Sequence, residues 1–237
     1  MHNPLPTRRH ILGASAAMAA IGAWPGSTLA AMGPNDKFDL LIRNANVLDP
    51  SQNLSGKRDI GIRFGRIEAI ETQLLPEKAL RVLDANQKLI TPGLIDLHCH
   101  TYPYGSAIGI PADELLAHQC TTTTVSAGDG GANNFAAWRR FIRPASRTHQ
   151  FAFVHIAVAG LAGFPLPELI NIDYAQPEIA ARSVAENADV VLGVKVRMSE
   201  NVIARHGMEP LRRAIRACEL SGVTAKIMCH KIGRAHV

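Results

Sequence analysis

Thr91-Pro92-Gly93-Leu94-Ile95-Asp96-Leu97-His98-Cys99-His100 is the stretch on which the fold turns. Its Pro-Gly pair ends whatever precedes it. The apolar run that follows predicts a strand, with His98 and His100 on one face and Cys99 on the other. Upstream, residues 38–48, 59–62, 66–70, 81–84 and 88–90 read as short strands parted by tight turns, Phe64-Gly65 among them. They predict a small β-domain over 36–91, expected as a β-sandwich. Downstream, strand-like runs at 93–98, 121–127, 151–159, 190–198 and 223–229 alternate with helix-like runs at 112–119, 134–143, 177–187 and 210–220. Pro210 opens the last helix and Gly222 follows it, as capping preferences require. Repeated βα units make this an α/β chain with a parallel sheet, either open and doubly wound or closed into a barrel.

The chemistry sits at strand ends. Imidazole is a common metal ligand, and two of them, His98 and His100, on one face make half of a site. Taken alone, the pair reads more readily as two ordinary surface or core histidines than as ligands. Leu192-Gly193-Val194-Lys195-Val196-Arg197-Met198 carries a lysine inside an apolar strand, where a charged amine is costly. Lys195 is then either an interior lysine paired to a carboxylate or an amine that has taken up carbon dioxide as a carbamate. His230 closes the run Val223-Thr224-Ala225-Lys226-Ile227-Met228-Cys229. From His98 to Lys195 is 97 residues, or three βα units of about 32, and from Lys195 to His230 is 35, or one more. These residues would therefore occupy the first, fourth and fifth strands of one array, at C-terminal ends that share a mouth.

Pro92-Gly93-Leu94-Ile95-Asp96-Leu97-His98-Cys99-His100 resembles the first-strand motif of the amidohydrolase superfamily. Gly193-Val194-Lys195-Val196-Arg197-Met198-Ser199 is similar to the carboxylated-lysine strand of its dihydroorotase-like and amidohydrolase/deacetylase branch. The resemblance spans about residues 36–231 and implies a TIM (β/α)8-barrel with strands one to five present over 92–231. It implies two divalent ions, usually zinc, with His98 and His100 on one, carboxylated Lys195 bridging, and His230 on the other. It also implies a sixth-strand histidine and a catalytic eighth-strand aspartate, neither of which can be placed in this sequence. The implied reaction is hydrolysis of an amide, cyclic amide or acyl ester of a small molecule; the alternative is a scaffold that kept the fold and lost the chemistry.

The remaining features bound this reading. The chain has 237 residues, 47% of them apolar, enough for a sizeable core. A net charge of +5, with its basic residues scattered, gives no nucleic-acid surface. Arg8-Arg9 before an Ala-rich run, ending at Ser27-Thr28-Leu29-Ala30-Ala31, resembles a twin-arginine signal over 1–31 and so predicts export to the periplasm. No later segment reads as a membrane span, and a homo-oligomer is left open. Residues 232–237, Ile-Gly-Arg-Ala-His-Val, continue no pattern and read, with Lys231, like a translated sequencing adapter. They are expected to be a non-native tail, and the chain a fragment inactive by itself. Cys99, Cys120, Cys218 and Cys229 are expected as small core residues. Gly128-Asp129-Gly130-Gly131 is expected as a plain βα turn, since it lacks dinucleotide-loop spacing. His155 is either a buried structural histidine or an interior neighbour of the site. His118, His149 and His206 are expected in solvent, and Asp96 in a supporting place below His98.

Overall fold

The computed structural model describes residues 32–33 and 35–231; the signal-like segment 1–31 and the tail 232–237 lie outside the described residues. The chain divides into two compact units between Ile90 and Thr91.

In the first unit, β1 (Leu40–Asp49), β2 (Leu54–Arg63) and β3 (Arg66–Glu71) form an antiparallel meander. Two short strands, β4 (Val82–Asp84) and β5 (Leu89–Ile90), run parallel to β1. Phe64 and Gly65, at φ 52° and 69°, make the tight turn between β2 and β3, where two left-handed residues match the strand twist. Its core is small, made of Ala45, Val47, Ile60 and Ala85. The described residues of this unit form one mixed sheet of five strands, where two were expected.

The second unit is a parallel sheet in the order β10-β9-β8-β7-β6. Its strands are β6 (Leu94–Cys99), β7 (Thr121–Gly131), β8 (His149–His155), β9 (Val191–Arg197) and β10 (Lys226–His230). The longer crossover helices are α1 (Ala112–Gln119), α2 (Pro177–Glu186) and α3 (Glu209–Leu220). The strand period of two explains the layering. Val194 and Val196 on β9 are fully buried against the helix side, beside Val184 of α2 and Ala214 and Ala217 of α3. Lys195, between those valines, faces the other side. Asp113 in the first turn of α1 complements the helix dipole and accepts hydrogen bonds from the Arg147 and Thr148 amides, which ties the helix to the start of β8.

The sheet is strongly curled. Strands lie about 4.8 Å apart, so a flat sheet would hold its edge strands β6 and β10 about 19 Å from each other. Yet the rings of His98 on β6 and His230 on β10 are 4.9 Å apart across the concave side. This is the curvature of a half-barrel.

Several expectations change. The expected helix at 134–143 is present but irregular, passing from Phe135–Ala137 into a wider turn at Trp138–Ile142 and a tighter one at Arg143–Ala145, where Pro144 has no amide to continue the ladder. Only Cys99 is a buried cysteine; Cys120 and Cys229 are exposed and Cys218 is half-buried. Cys120 ends α1 in the left-handed conformation, where its amide closes the last turn. His149 is the exposed first residue of β8, and the half-buried His206 is hydrogen-bonded to the Ile170 carbonyl at 3.0 Å. No helix among the described residues is long and apolar enough to cross a membrane.

Candidate metal centre

His98, His100, Lys195 and His230 meet on the concave side of the curled sheet. Nε2 of His98 lies 3.4 Å from Nζ of Lys195, although two strands separate β6 from β9. The His98 and His100 ring centroids are 5.8 Å apart. His100, Lys195 and His230 line one cavity of about 50 Å³, together with His155, Glu168 and Arg197. Asp96 serves β6 itself, accepting the His98 amide at 2.9 Å.

Burial first, and the proximity of positive groups second, set the protonation states. Burial, then the positive neighbours Lys195, His230 and His100, pushes His98 down to about 4. Burial, Lys195 and Arg197 also lower His230. Burial first, and Arg197 second, brings the Lys195 amine down to about 8. At neutral pH both imidazoles therefore offer lone pairs, and part of the lysine population is a free amine, the form that reacts with carbon dioxide.

Room for the lysine comes from Gly128. A Cβ there would stand 2.5 Å from Lys195 Cγ and 3.2 Å from His155 Cδ2, and its φ of +85° disfavours any other residue. Gly128→Ala is therefore expected to displace the Lys195 stem and cost about 1–3 kcal/mol. Equilibrium denaturation with a parallel metal titration checks this; wild-type values in both would refute it.

A second layer holds these groups. Asp129, fully buried, accepts from His100 Nδ1 at 2.8 Å and from the hydroxyls of Ser106 and Ser126 at 2.9 and 2.7 Å. The expected turn at 128–131 is instead the end of β7, where pairing with β8 is irregular between Ala127 and Gly131. Such irregularities re-aim side chains at sites. An acidic residue flanked by glycines at a strand's C-terminal end was the available signal for Asp129. Glu168 was not legible at all, since it lies in a loop. It forms a two-pronged pair with Arg197 at 2.9 and 2.6 Å and stands 3.4 Å from His155 Nε2. His155 is 1% exposed and its Nδ1 accepts the Ala157 amide, so the ring's proton sits on Nε2, facing Glu168.

Burial opposes the Glu168 charge, yet contacts with His155 and Arg197 hold its carboxyl at about 2, below the usual 4.5. A depressed carboxylate pKa stabilises the fold above the unfolded-state value and loses that contribution as pH falls toward the folded one. Glu168→Gln is thus expected to cost about 3 kcal/mol at neutral pH, with the deficit shrinking between pH 4.5 and about 2. Urea titrations of both proteins across that range test it, and a pH-independent deficit would contradict it.

No family model matches the chain. It is 32% identical over 149 residues to a deacetylase of Agrobacterium fabrum, covering 62% of this chain and 37% of that protein. Among solved structures it is similar to a dihydroorotase, with a TM-score of 0.73 and 28% identity over 82% of this chain and 51% of that one. An N-acyl-D-glutamate deacylase from Bordetella bronchiseptica, solved with zinc and a phosphonate inhibitor, shares the fold at a TM-score of 0.54 and 18% identity, over 82% of this chain and 45% of that one. The chain spans about 37% of the length of that curated deacetylase. A deacetylase by sequence and a dihydroorotase by sequence and fold have one common denominator, and the chain is a member of it: the amidohydrolase superfamily.

Proposed function

We propose that the protein is a metal-dependent hydrolase of an amide, cyclic amide or acyl ester, of deacetylase type, acting on a small molecule at a binuclear centre. The carrying observation is the 3.4 Å approach of Lys195 Nζ to His98 Nε2, with His230 beside them. Gathering these imidazoles around a buried lysine takes their charged forms out of water and sets them against one another, which holds His98, His230 and Lys195 below their ordinary pKa values.

The donor set fits divalent ions of the zinc kind, which favour imidazole nitrogen and carboxylate-like oxygen. Among the described residues, His, Cys, Asp and Glu side chains alone form no group of three placed to hold an ion. On the reading proposed here Lys195 would contribute, a carbamate at its tip adding two anionic oxygens. His98 and His100 would then hold one ion and His230 the other, with the carboxylated Lys195 shared between them. Two divalent ions would supply a hydroxide at neutral pH and a Lewis acid for an acyl oxygen. The protein's part is to keep His98 and His230 uncharged, to hold the lysine in a dry wall, and to fix ring orientations from behind. The expected eighth-strand aspartate would move the proton to the leaving group, and the twin-arginine-like segment would place the enzyme in the periplasm.

Elemental analysis of the intact protein is the test. About two metals per chain, and loss of activity on chelation with recovery on adding Zn²⁺, are expected. A metal-free protein with undiminished activity would overturn the reading.

A further inference from the structure

Asp129 stands out among groups the proposed chemistry does not use: a carboxylate with no exposed surface, in a strand wall. Three side-chain hydrogen-bonding groups converge on its two oxygens. His100 and Ser106 donate to Oδ1 and Ser126 donates to Oδ2. The serines come from different places, Ser126 from β7 itself and Ser106 from the loop after His100, so the carboxylate is held on two sides. A ring that donates from Nδ1 keeps its lone pair on Nε2.

We propose that Asp129 is a positioning residue: it locks His100 in the Nδ1–H tautomer and fixes its ring, so that Nε2 is the nitrogen offered to an ion. The proposal rests on the metal-centre reading and deepens it. Ser106 and Ser126 serve it by fixing the carboxylate, and the glycines around Asp129 let β7 depart from regular pairing so that the side chain turns inward. Among the described residues no carboxylate is hydrogen-bonded to the His98 ring, whose Nε2 faces Lys195 Nζ. The two histidines of the His-x-His pair are thus unequal, one held rigidly and one held by the site itself.

Two measurements on the intact protein decide it. Ring ¹⁵N spectra of the metal-free protein should show His100 as the Nδ1–H tautomer, moving toward Nε2–H in Asp129→Ala and staying put in Asp129→Asn, whose amide oxygen still accepts. Co²⁺ titration should show about a 10–100-fold loss of affinity in Asp129→Ala, as for other outer partners of metal-bound histidines, with most of it restored in Asp129→Asn. If Asp129→Ala does not fold, Ser126→Ala decides. It leaves the charge but loosens the carboxylate, so severalfold weaker Co²⁺ binding is expected and unchanged binding overturns the clamp. An Nε2–H ring in the wild type, or unchanged affinity in Asp129→Ala, overturns the clamp alone. A wild type that takes up no metal while His100 remains Nδ1–H overturns the metal centre, and with it the clamp's purpose.

Discussion

Lys195→Ala is expected to abolish activity in the intact protein, by at least about 10³-fold in kcat/KM, or about 4 kcal/mol of transition-state stabilisation, and to strip most of the bound metal. On the proposed reading the residue would act as a bridging anion rather than as a positive charge, so a short carboxylic acid in the buffer should restore part of both. Stability should move the other way or hardly at all. Lys195 is 3% exposed, and burial first and Arg197 second lower the pKa of its amine. Removing a group that costs energy to bury offsets the cavity left behind. Metal analysis, steady-state kinetics with and without acetate, and denaturation of the metal-free protein separate these effects. Full metal content and robust activity in the variant would sink the carbamate assignment; a large stability loss would contradict the electrostatic account.

Trp138→Ala should do the opposite, breaking the fold first and the site through it. Trp138 is 1% exposed, its ring lies 5.2 Å from that of Phe135, and its Nε1 donates to the Thr101 carbonyl at 3.2 Å. Thr101 follows His100 directly, so this bond anchors the chain where it leaves the site. Loss of the indole leaves a cavity and an unpaired carbonyl, at about 3–5 kcal/mol. For a chain of this size that is a fall in Tm of about 6–20 °C. A thermal melt of the metal-free protein reads the first effect and a Co²⁺ titration the second. A shift of under about 2 °C would mean that the pocket around Trp138 collapses without penalty.

The sequence by itself determined the alternation of strands and helices after Gly93, because the hydrophobic period and the Pro and Gly punctuation are local properties of the chain. It also singled out His98, His100, Lys195 and His230, since residues one βα unit apart recur at the same end of a parallel array. Tertiary structure alone decided the rest. That the edge strands β6 and β10 approach within side-chain reach depends on sheet curvature, a sum of small twists over five strands that no single segment encodes. Asp129 reads locally as a turn residue, because glycines on both sides signal a turn; only the pairing of β7 with β8 keeps it in the wall and faces it to His100. Glu168 carries no periodic signal, and its value depends on Arg197 and His155, which lie on different strands. Local pattern thus names the residues that could ligate. The inward charges that orient and balance them come from long-range packing, where desolvation makes each unpaired group costly enough to fix its partner.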